Sequence, residues 1–69
     1  MNLDIRQAVK RNLVNASNID ILNTINDAMT VSEEKVLPGL GVLFEVYWQT
    51  ASDEEKNRIA MSIANNMKQ

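Results

Sequence analysis

Apolar residues recur at helical spacing in four segments of the chain, and nowhere do apolar and polar positions alternate as a strand requires. The fold class this predicts is all-α, a small compact bundle of about four short helices around a central apolar one. Ile5, Ala8, Val9 and Leu13 follow the first stripe, with Asn2 or Asp4 placed to cap it and Arg6, Lys10 and Arg11 near the outer face. This helix is expected to end between Asn12 and Asn15. Ser17 then caps a second helix, with Asp20 favouring its N-terminal dipole and Ile21 or Leu22, Ile25, Ala28 and Met29 carrying its stripe.

The third segment is the unusual one. After a Thr30-Val31-Ser32 break comes a short turn through Glu33 to Val36, then a helix from about Pro38 to Thr50, with Leu37-Pro38 as the expected corner because proline disfavours the α conformation in the residue before it. Leu40, Leu43, Phe44, Tyr47 and Ala51 make one face; Val42, Val46 and Gln49 make a second; Gly41, Glu45 and Trp48 make the third. Two faces of three are apolar. Such a helix is either covered on all sides by its own chain or carries a surface for another copy or another protein. The candidate interaction surface is Leu37, Val42, Val46 and Trp48. Ser52-Asp53-Glu54-Glu55 then spells a capping box with acidic residues in the first turn, opening a last helix along Ile59, Ala60, Ile63, Ala64 and Met67.

Composition narrows the functional classes. At 69 residues the chain reads as a single helical domain, 1–69, too small to bury a large core. Without cysteine it carries neither disulfide nor thiolate–metal staple, and without histidine it lacks the commonest general base. No catalytic constellation, metal-ligand spacing, cofactor motif or small-molecule site emerges, and no membrane span or signal peptide is expected. Gly39 and Gly41 are read as easing the corner and letting another helix come close, not as a phosphate cradle. Glu45 is expected either to be exposed on the Gly41 side or to pair with a basic residue such as Lys35. Net charge of −2 argues against general nucleic-acid binding. Arg6, Lys10 and Arg11 nevertheless form a candidate basic face, in the main a solvated one.

Residues 33–49, EEKVLPGLGVLFEVYWQ, closely resemble the hallmark segment of the minor small acid-soluble spore protein I family of endospore-forming bacteria. The opening NLDIRQAV at 2–9 is similar to the family's start, and the resemblance covers essentially the whole chain, more loosely over 14–31 and 57–69. It implies a small protein made in the forespore cytoplasm and held in the spore core, without known enzymatic activity. It does not imply DNA coating, which belongs to a different family sharing the name. The tail departs from the more acidic endings associated with the family. The expected role is a structural or protein-interaction module, self-associating or binding another spore protein; the alternative is a weak accessory nucleic-acid binder using the basic first helix.

Overall fold

The computed structural model describes residues 4–68, so Asn2, one of the two caps considered for the first helix, lies outside them. Within these residues the chain is all-α: α1 (Ile5–Asn12), α2 (Asn18–Thr30), a 3₁₀ turn (Glu34–Val36), α3 (Leu37–Thr50) and α4 (Asp53–Asn66).

The helix starts follow local chemistry. Asp4 Oδ1 accepts the backbone N–H of Gln7 at 3.0 Å, satisfying one of the unpaired donors at the start of α1. Lys10 and Arg11 fall in its last turn, where they complement the dipole. Beyond it Asn15 takes a left-handed backbone, φ 64°, which asparagine tolerates better than most residues. The capping box of α2 is reciprocal: Asp20 N–H donates to Ser17 Oγ at 3.1 Å and Ser17 N–H to Asp20 Oδ2 at 3.3 Å. Ser52 and Glu55 repeat the arrangement at α4, at 3.1 and 2.9 Å.

The expected corner at Leu37-Pro38 lies earlier. Leu37 is helical, φ −61° and ψ −42°, and the extended residue is Glu33. The 3₁₀ turn feeds straight into α3, and Pro38, in the first helical turn, forgoes only an N–H that would have no intrahelical partner there.

α1 packs most extensively across α3. Ile5, Val9 and Leu13 are half-buried along it, while Ala8, expected in the core stripe, is exposed. From α2, Ile21, Ile25 and Ala28 turn inward, whereas Leu22 and Met29 do not. Val42 of α3, at 7% exposure, is the one apolar side chain among the described residues that is buried. The helices do gather around α3, but the core they enclose is thin.

α4 departs furthest from expectation. Of its predicted stripe, Ile59 is half-buried, and Ala60, Ile63, Ala64 and Met67 are exposed. Ala51 and Ser52, both extended, set the direction in which α4 leaves α3. Only its beginning is tied back to α3, so the later turns have nothing laid over them among the described residues.

Candidate interaction surface

α3 carries more apolar side chains than the neighbouring helices cover, leaving Leu37, Phe44, Val46 and Tyr47 exposed. Between α2 and α3 runs a groove of 570 Å³ lined by Ile21, Ile25, Leu40, Leu43, Phe44, Val46 and Tyr47. No charged side chain lines it. A smaller apolar cavity, 240 Å³, sits where α1, α2 and α3 converge, lined in part by Val9, Leu13, Ala28, Gly39, Leu40 and Leu43.

The four residues singled out from sequence do not share one surface. Leu37 is 58% exposed and Val46 43% exposed, as a docking face requires. Val42 is the buried residue and belongs to the α1–α3 contact, because α1 lies over its face of the helix. Trp48 is half-buried: its ring lies 5.2 Å from that of Phe44, and Lys56 Nζ sits 5.3 Å from the Trp48 ring centroid. Phe44 and Tyr47, grouped from sequence on one face with Leu40 and Leu43, are exposed and extend the groove towards solvent. Helical spacing had grouped them correctly; what it could not supply was how little the neighbouring helices would cover.

Polar contacts tie the C-terminal half of α3 to α1 and to α4. Arg6 donates to Glu45 through both Nε and Nη2, at 2.7 and 2.9 Å, a bidentate pair joining α1 to α3. The hydrogen bond from Arg6 holds the Glu45 carboxyl below the usual carboxylate range, against an opposing push from burial, and the same bond raises Arg6. Glu45 does lie on the Gly41 side, where both border one concavity with Arg6. Its partner, however, is not Lys35, whose Nζ is 3.6 Å from Glu33. Two residues on from Glu45, towards α4, Tyr47 Oη donates to Glu55 Oε2 at 3.3 Å. Burial pushes the Tyr47 phenol up, with the Glu55 charge adding to it; Glu55 is itself lowered, chiefly by the backbone N–H of Ser52.

The basic face is diminished by the same geometry. Arg6 is engaged with Glu45, leaving Lys10 and Arg11 beside it on α1. Neither glycine serves the close approach expected of it: a Cβ at Gly39 or Gly41 would meet nothing within 4 Å, and neither has a positive φ. Among the described residues no cluster of three or more carboxylates could hold a metal, and no helix is long and apolar enough to cross a membrane.

Comparison with known proteins adds the identity of the lineage. The family model described as "Small, acid-soluble spore protein I" matches residues 3–67. Among relatives carrying that description, one from Bacillus velezensis is 47% identical over 68 residues, covering 99% of this chain and 96% of its own. One from Bacillus subtilis is 46% identical over 68 residues with the same coverage, and one from Geobacillus kaustophilus 39% identical over all of both chains. No solved structure matches. With a family match spanning nearly every residue, and relatives this similar end to end, the chain belongs to the small, acid-soluble spore protein I family.

Proposed function

We propose that this sporulation protein is a non-enzymatic helical module of the spore core that works by docking through the exposed side of α3. One observation carries the reading: a helix apolar on most of its circumference leaves Leu37, Phe44, Val46 and Tyr47 in water, beside an uncharged groove. Apolar area of this kind is what a partner removes. The family is not a known enzyme family, and no residue pattern in the chain suggests chemistry. Nucleic-acid binding through α1 is the weaker reading, since Arg6 already has a carboxylate partner and two remaining cations give little affinity for phosphates.

The test is a photo-crosslinking amino acid placed at Val46 in sporulating cells, with the same group at the exposed polar Asn26 as control. Docking predicts a discrete protein adduct from position 46 that is absent from position 26. Equal, diffuse labelling from both positions would remove the reading.

A further inference from the structure

Two unfilled halves of a helix–helix contact lie on this one chain. The first is the α2–α3 groove, 570 Å³ and free of charged lining. The second is the end of α4 with its C-cap, where Ile63 and Met67 continue the stripe from the half-buried Ile59 at i+4 and i+8, Ile63 53% and Met67 75% exposed. An amphipathic helix laid into an apolar groove uses anchors at this spacing. The inserted stripe is short enough for its site, Ile63 to Met67 spanning about 6 Å against about 10 Å of groove from Leu40 to Tyr47 at the α-helical rise.

The chain does not fill its own groove. Glu55 bonded to Tyr47 and Lys56 set over Trp48 hold the start of α4 at the C-terminal end of α3, and the stripe beyond runs on exposed. We infer that the occupant is α4 of a second copy, and that the exchange is mutual, each chain inserting Ile63 and Met67 into the other's α2–α3 groove. Because every copy carries both halves, a two-fold axis makes the contact twice and closes the assembly at two chains. Surface area supports this. The chain exposes 6063 Å², whereas a folded monomer of its mass exposes about 4,400 Å². That excess is larger than the about 800 Å² each partner gives up in a standard interface, leaving room for an inserting stripe and a receiving groove on the same chain. The inference rests on the reading that α3 is a docking surface, and names what docks there.

The experiment is sedimentation equilibrium from micromolar to millimolar protein, on the full chain, Val46→Asp, Ile63→Asp, and an equimolar mixture of the two variants. Both positions are exposed, so each variant is expected to keep its helices, which circular dichroism checks. The wild type is expected to dimerise and each variant to associate at least about tenfold more weakly, as a charge enters an apolar contact. The mixture is the decisive arm. An intact groove on the Ile63→Asp chain accepts the intact α4 of the Val46→Asp chain, so the mixture forms a heterodimer that neither variant forms as a homodimer. A wild type monomeric throughout overturns the inference. A dimer lost in Val46→Asp but unaffected by Ile63→Asp, or unrescued in the mixture, also overturns it, while leaving α3 as the docking surface. A dimer indifferent to Val46→Asp overturns both.

Discussion

Arg6 and Glu45 are 39 positions apart in the chain and meet as a two-pronged pair, guanidinium Nε and Nη2 against the two carboxylate oxygens at 2.7 and 2.9 Å. The pair closes one side of the α1–α3 contact over which Val42 is buried. Glu45 is 35% exposed, so water reaches the pair, and its main effect is to fix which way α1 crosses α3.

Acid should loosen that crossing. A carboxylate whose folded-state pKa is depressed contributes stability above its ordinary range, and the contribution disappears as pH falls through the folded-state value, while Arg6 stays charged throughout. Denaturant midpoints of the wild type should therefore decline on acidification, and Glu45→Gln should flatten the decline. Glu55, also depressed, acts with the same sign, so some slope persists in the variant. Superimposable acid limbs for the two proteins would show that the pair does not couple to folding.

Val42→Ala should be the most damaging single apolar truncation in the chain. It removes part of the one apolar side chain buried among the described residues, at a cost of roughly 1 to 2 kcal/mol. Val46→Ala, at an exposed position, should cost well under half as much in the dilute monomer. Urea melts of the two variants make the comparison, and a reversed order would mean that α1 and α3 pack differently.

Gly39→Ala and Gly41→Ala should each stabilise the dilute monomer by up to about 1 kcal/mol, since a new methyl group meets nothing within 4 Å and alanine is the better helix former. Gly39 borders the 240 Å³ cavity, so its substitution also begins to fill that space. Thermal melts decide the sign. A loss of stability in the monomer would mean that some atom of the chain occupies the room that appears open.

Ser52→Ala should cost about 1 kcal/mol, because the Ser52 hydroxyl accepts the Glu55 N–H at the head of α4. Amide hydrogen exchange should register the loss of protection in the first turns of α4 before the other helices. Ser62→Ala, in the exposed part of the same helix, is the control and should change little.

The caps were the most legible part of this sequence. Ser17 with Asp20 and Ser52 with Glu55 are local, three residues apart, and a side chain of that type in that place has few alternatives. Four helices around an apolar third followed from the same local periodicity. Arg6 with Glu45 was not legible, because the pairing depends on how α1 is rotated over α3, and any of seven basic residues offered itself. Periodicity also says which residues share a face without saying whether anything covers it. That is why Ala8 and the stripe of α4 beyond Ile59 read as core and prove exposed, and why Val42 read as interface and proves buried. The corner was misplaced for another reason: the restriction proline imposes on Leu37 is a preference, and a 3₁₀ turn leading directly into α3 outweighed it.

With Val42 alone buried among the described residues, the chain keeps much of its apolar hydration in the native state. Unfolding then exposes comparatively little new apolar surface, so the heat-capacity increment is small and stability varies gently with temperature. Such a protein melts over a broad interval, at no temperature strongly favoured and at none abruptly lost.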